Sequence, residues 1–215
     1  MPSNIMSYSI MFDGGTPGRL EHPRIAGGND VDLELCRRSG PAERTRYNGA
    51  MDWRDAPPYG RFGATDAFVA RHRARCYCGA VAYEVRADPV DAKLCHCPAC
   101  QALHGAPFQW AVIFHKADVR FTRGVDDLYY YNAELDQPGR VLPCKLGCAR
   151  CRSPIADEGR RMFLAFGPLF DFGAPPRVPA AFAPTCHIFY GARVIDVDDG
   201  KPKYLGHKGS SPLVR

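Results

Sequence analysis

The chain has 215 residues, 46% of them hydrophobic and 24% charged, and a formal net charge of +5. That length allows one large domain or two small ones with a buried core. No run approaches the roughly 20 apolar residues that span a bilayer, and basic residues spread along the chain fall short of the clustered charge that marks a nucleic-acid surface, so neither a membrane nor nucleic acid is expected as a partner.

Residues 1–68 read as a loop-rich N-terminal extension. Stretches such as Asp13-Gly14-Gly15-Thr16-Pro17-Gly18 and Asp55-Ala56-Pro57-Pro58-Tyr59-Gly60 are turn material, and periodicity is weak apart from short runs such as residues 7–12. From about residue 70 the pattern turns to strands. Residues 79–85 alternate small or polar residues with β-branched and aromatic ones. A short helix is expected over 97–103, with Pro98 near its N-terminus. Further strand-length runs follow at 108–114, 128–131, 162–166 and 187–195, separated by Gly, Pro and Asp. Residues 69–215 are therefore expected to form a mainly β domain.

Seven of the ten cysteines fall into three tight groups. They are Cys76-Tyr77-Cys78, Cys95-His96-Cys97-Pro98-Ala99-Cys100 and Cys148-Ala149-Arg150-Cys151. A disulfide framework would need an oxidising compartment, and the first residues lack the basic-then-apolar pattern of a secretory leader. A reducing cytoplasmic setting is expected, with the nucleus as a second possibility. Spacings of one or two residues instead let successive thiolates bind one soft or borderline ion, and zinc suits such ligands. Four thiolates close a tetrahedral structural site, and three leave one position open. The economical partition gives Cys76, Cys78, Cys148 and Cys151 to one zinc and Cys95, Cys97 and Cys100 to a second. The rival partition has one zinc and an idle third cluster. Cys36, Cys144 and Cys186 stand apart and read as small buried hydrophobes; Cys144 is close enough to Cys148 to be a further ligand.

The ordered set Cys76-x-Cys78-Gly79-Ala80-Val81-x-Tyr83-Glu84, Cys95-His96-Cys97-x-x-Cys100 and Cys148-x-x-Cys151 resembles the glutathione-dependent formaldehyde-activating enzyme family, which includes the centromere protein V-type proteins. The resemblance covers roughly residues 72–205 and leaves the N-terminal segment without a counterpart. It implies coiled β-sheets pinned by zinc, the same metal partition, and a catalytic middle trio. It also implies a carbon–sulfur lyase-type reaction joining or separating a small thiol such as glutathione and an aldehyde. The chain departs from the family pattern at Leu103-His104-Gly105, at Cys151-Arg152-Ser153-Pro154 and in the additional Cys144. These changes bear on the substrate more than on the metal.

An open three-thiolate zinc suits reversible adduct chemistry better than hydrolysis, because the thiolate charge weakens the ion as a Lewis acid. A thiol whose pKa is lowered there can add to an aldehyde, and the same site can break the adduct. His96 and His104 are the candidate acid–base residues, His96 with an equal claim to a supporting hydrogen bond. His187 starts an apolar run and reads as a satisfied core histidine. The competing class is a non-catalytic zinc module that binds a protein or nucleic-acid partner; it needs only the closed four-sulfur site.

Overall fold

A computed structural model describes residues 53–60 and 67–214. The chain divides between Gly49 and Ala50 into two units, and every described residue belongs to the second. The sequence features expected before residue 50, Cys36 among them, lie outside the described residues.

The elements run in chain order as β1 (His72–Arg75), β2 (Ala82–Val85), β3 (Asp91–Cys95), helix α1 (Pro98–His104), β4 (Gln109–His115), β5 (Val119–Arg123), β6 (Leu128–Asn132), β7 (Gln137–Pro138), β8 (Cys144–Cys148), β9 (Pro154–Glu158), β10 (Met162–Phe166) and β11 (Cys186–Ile188). The fold is mainly β. A three-stranded sheet has the order β1-β2-β5, and an eight-stranded sheet the order β11-β3-β4-β10-β9-β8-β6-β7. Pairing is antiparallel except between β11 and β3. Among the described residues no helix is long and apolar enough to cross a membrane.

Strand alternation decides what faces the core. Tyr83 and Val85 of β2 point inward, as do Ala92 of β3, Val112 and Phe114 of β4 and Phe163 of β10. Tyr83, Phe114, Phe121, Phe163, Phe170 and Phe182 meet mostly edge to face, with centroids 4.9–6.1 Å apart. Each such side chain contributes roughly 1.5–3 kcal/mol by leaving water. This aromatic layer packs the small sheet onto the large one.

Three expectations are adjusted. The run at 79–85 is strand only from Ala82, because residues 79–81 form a turn with Gly79 at φ +74°. The run at 187–195 stops at Ile188. Phe189 turns left-handed at φ 54°, and the 3-10 turn Tyr190–Ala192 follows. The third concerns Trp53–Gly60, which the sequence assigns to the extension. Tyr59 is buried in the core, stacked on Phe121 at 5.4 Å, and the Phe121 amide donates to the Pro58 carbonyl at 2.8 Å. The Tyr59 hydroxyl donates to Glu158 at 2.6 Å. Glu158 is fully buried and is paired with Arg140, at 2.6 Å and 3.0 Å, and with Lys116. A boundary after residue 68 cuts through this contact.

Candidate metal centres and the adjoining pocket

Two chain reversals build the first sulfur group. After β1 the backbone folds back, the Cys76 amide donating to the Val81 carbonyl and the Gly79 amide to the Cys76 carbonyl, each at 3.0 Å. The Val81 amide also points at Cys76 Sγ, 3.3 Å away. After β8 the Arg152 amide donates to the Cys148 carbonyl at 2.9 Å, with Arg152 left-handed at φ 63°. The Tyr77 amide donates to Ser153 Oγ at 3.2 Å and links the two turns. Cys76, Cys78, Cys148 and Cys151 thereby offer sulfurs that all lie within 4.8 Å of one another. Cys76 and Cys78 sulfurs are 3.6 Å apart, and those of Cys78 and Cys148 are 3.9 Å apart. Four sulfurs about 2.3 Å from one zinc ion form a tetrahedron with edges of about 3.8 Å. The residues fit that ion in donor type, number and spacing.

The second group comes from one short stretch. Cys95 ends β3, and the His96 amide donates to the carbonyl of Ile188, the last residue of β11, at 3.0 Å. Cys97 caps α1, its sulfur accepting from the Cys100 amide at 3.4 Å. The α1 turn brings Cys100 round to face the other two, and the three sulfurs also lie within 4.8 Å of one another. Hydrogen bonds from the Cys100 and Cys95 thiols hold Cys97 well below the usual thiol range. Three sulfur donors with no fourth protein ligand among the described residues fit a zinc with an open position. Cys144 belongs to neither group. It is buried with its sulfur 4.0 Å from Glu158, and burial followed by that carboxylate pushes its thiol up to about 12. Cys186 is buried and packs beside Cys95 and Cys100.

His96, between Cys95 and Cys97 in the chain, is fully buried, with Nε2 2.9 Å from His187 Nδ1. His187 is also fully buried, and its Nε2 lies 3.0 Å from Asp199. Burial opposes ionisation of Asp199, but hydrogen bonds from Lys201 and His187 outweigh it and hold the carboxyl below the usual range. In the tautomer in which His187 Nε2 donates to Asp199 and its Nδ1 accepts from His96 Nε2, His96 Nδ1 carries no proton. That atom has no hydrogen-bond partner among the described residues. Burial, then the charges of His187 and Arg193, lowers the His96 pKa to about 4.

Strand register supplies the other side of the trio. Tyr131, Lys145 and Asp157 sit in one row across β6, β8 and β9. Lys145 Nζ donates to Asp157 at 2.8 Å and lies 3.9 Å from Cys100 Sγ. Burial would lower the Lys145 pKa, but the Asp157 and Cys100 charges outweigh it and raise it. Gln109 donates to the same Asp157 at 3.2 Å. His104, at the end of α1, packs edge-on to Phe166, and burial lowers its pKa. His104 Nε2, Gln109 Oε1 and Asp157 Oδ1 are buried with no hydrogen-bond partner among the described residues. Buried polar atoms are rarely left so. A cavity of about 150 Å³ opens here, with Leu103, His104, Tyr129, Tyr131, Lys145 and Phe166 among its walls.

The sequence reading named His96 and His104 but missed Lys145, Asp157 and Gln109. No local spacing marks these three, since they meet only through pairing of distant strands. His96 faces the His187–Asp199 chain and His104 the cavity.

The model of the family described as glutathione-dependent formaldehyde-activating enzyme matches residues 71–192, more than half of the chain. No curated protein matches. The crystal structure of a Rhodobacter sphaeroides protein is similar at 21% identity and a TM-score of 0.35, covering 45% of this chain and 85% of that one. The family match spans all seven clustered cysteines and the strands that carry them, and the chain belongs to the glutathione-dependent formaldehyde-activating enzyme family.

Proposed function

We propose that this protein is a zinc-dependent carbon–sulfur lyase-type enzyme that forms or cleaves a thiol–aldehyde adduct at Cys95, Cys97 and Cys100. One observation carries this reading: Lys145, whose Nζ lies 3.9 Å from Cys100 Sγ of the three-sulfur group, also lines a cavity. Cys76, Cys78, Cys148 and Cys151 would hold a structural zinc, and the trio a second one. A zinc ion held by the trio would lower the pKa of a thiol beside it, so that thiolate is present at neutral pH.

The remaining work falls to the chain's own residues. Lys145 is anchored by Asp157 and directed at Cys100. From there its ammonium can donate a hydrogen bond to a carbonyl oxygen as negative charge develops on it. Burial lowers the His104 pKa, and the residue lines the cavity with its Nε2 lacking a hydrogen-bond partner among the described residues. It can take up the thiol proton or return it. The His96–His187–Asp199 chain holds the loop that presents Cys95 and Cys97. Glutathione with formaldehyde is the pair that family membership favours.

Exchange of glutathione and formaldehyde with their adduct, followed by NMR, tests the reading. Wild type is expected to accelerate exchange, Cys97→Ser to abolish the acceleration, and Lys145→Met to reduce it about 10²-fold, the usual effect of losing one such donor. Exchange at the enzyme-free rate across a panel of thiols and aldehydes would instead favour a binding module. Equal acceleration by Cys97→Ser would place any activity elsewhere.

A further inference from the structure

We infer that the cavity beside the three-cysteine group holds an apolar, aromatic-sized body on the aldehyde, so that the preferred carbonyl partner is larger than formaldehyde. The inference rests on the reaction proposed above and deepens it. The cavity, about 150 Å³, is several times what one carbon and one oxygen occupy. Formaldehyde would leave most of its walls without contacts, and unfilled apolar walls forfeit dispersion energy.

The wall chemistry decides which reactant belongs there. Tyr129 and Tyr131 alternate onto the same face of β6, while Leu103, Leu146 and Phe166 close other sides. Gly147 is the cross-strand partner of Tyr129, and a Cβ at 147 would stand 2.3 Å from the Tyr129 ring. The missing side chain lets that ring lie flat against β8. A tripeptide thiol with two carboxylates needs several cations or amide donors. Among the described residues this cavity has one cation, Lys145, already paired with Asp157. An apolar aldehyde matches both ends of the site: its body meets Leu103, the tyrosines and Phe166, and its oxygen meets Lys145. The departure at Leu103-His104 lines this cavity, so the chain differs from its family pattern where substrate size would be read.

The chemistry is unchanged by the larger body. The sulfur–hydrogen bond breaks, a carbon–sulfur bond forms, and the carbonyl π pair becomes an oxygen–hydrogen bond with the thiol's proton. Nothing is oxidised or reduced.

The test uses the full chain loaded with zinc and has a readout that needs no turnover. Benzyl alcohol cannot add a thiol, and ligand-observed NMR reports whether it is held. Saturable binding is expected for benzyl alcohol and none for methanol. Leu103→Trp, at a position 44% exposed, should fill the mouth without unfolding the chain and weaken that binding about tenfold. Tyr129→Ala should weaken it similarly by removing a wall. In adduct exchange with one thiol, benzaldehyde is expected to show at least about a tenfold lower KM than formaldehyde, and Leu103→Trp to erase that ratio. Accelerated formaldehyde exchange with no benzyl alcohol binding, or a ratio unmoved by both variants, overturns the inference and leaves the reaction standing. Benzyl alcohol binding with no aldehyde turned over sinks the reaction and, with it, the assignment of the cavity to an aldehyde.

Discussion

Cys76 and Cys78 leave the three-stranded sheet and Cys148 and Cys151 the eight-stranded one, whereas Cys95, Cys97 and Cys100 arrive together on six consecutive residues. The first group can hold an ion only after the two sheets have met, so ion binding there is linked to assembly of the fold. The second needs one strand end and one turn of helix. Its surroundings differ as well. Backbone amides and a serine support the four-sulfur group. A partly buried cation adjoins the trio and lines a cavity, and His104 on the same cavity has a ring nitrogen with no hydrogen-bond partner among the described residues. A metal that joins distant elements serves the fold, and one held locally beside a cavity is free to serve chemistry.

The sharpest way to break this comparison is to remove one sulfur from each group. Cys148→Ser is expected to give a misfolded or aggregating chain, because a structural zinc supplies about 10 kcal/mol or more of folding free energy. Cys97→Ser should keep its circular dichroism spectrum and lose one of two zinc ions by elemental analysis. Collapse of both variants, or a single zinc in the wild type, defeats the division of labour.

A second clamp joins the same two sheets, and it tests how far the four-sulfur group acts alone. Tyr59 stacks on Phe121 of β5 and donates to Glu158 of β9. We place the start of the folded unit near residue 50 on this contact. Tyr59→Ala is expected to lose about 3–5 kcal/mol in urea denaturation, and a chain starting at Ala70 a similar amount, with both retaining two zinc ions. Stability unchanged in both would return the boundary to residue 68 and leave the four-sulfur group as the main tie.

The smallest effect separates the ring from its hydroxyl. Tyr59→Phe keeps the stack on Phe121 and removes one donor from a carboxylate that Arg140 and Lys116 still hold. A loss of about 1.5 kcal/mol is expected, with adduct exchange at the trio unchanged. A change in exchange rate would mean that the Glu158 network reaches the trio and that the two regions are less independent than their geometry indicates.

The strand runs at 108–114, 128–131 and 162–166, the short helix opened by Pro98, and the grouping of seven cysteines into sets that could hold a metal ion were legible in the sequence alone. Each rests on spacing within a few residues, and local spacing survives whatever the rest of the chain does. The trio was legible for the same reason. Tertiary structure decided what depends on strand pairing. Residues about 70 apart in the chain, Cys78 and Cys148, reach 3.9 Å because two hairpin ends from different sheets meet. Lys145 joins Cys100, 45 residues away, through the register of β8 and the turn of α1. The early stop of β11 follows from one left-handed residue, Phe189, a conformation that no side-chain pattern announces. Tyr59 looked like turn material beside two prolines and a glycine. Its place in the core was set by Glu158, 99 residues later, a buried polar group that needs hydrogen-bond donors brought to it by the fold.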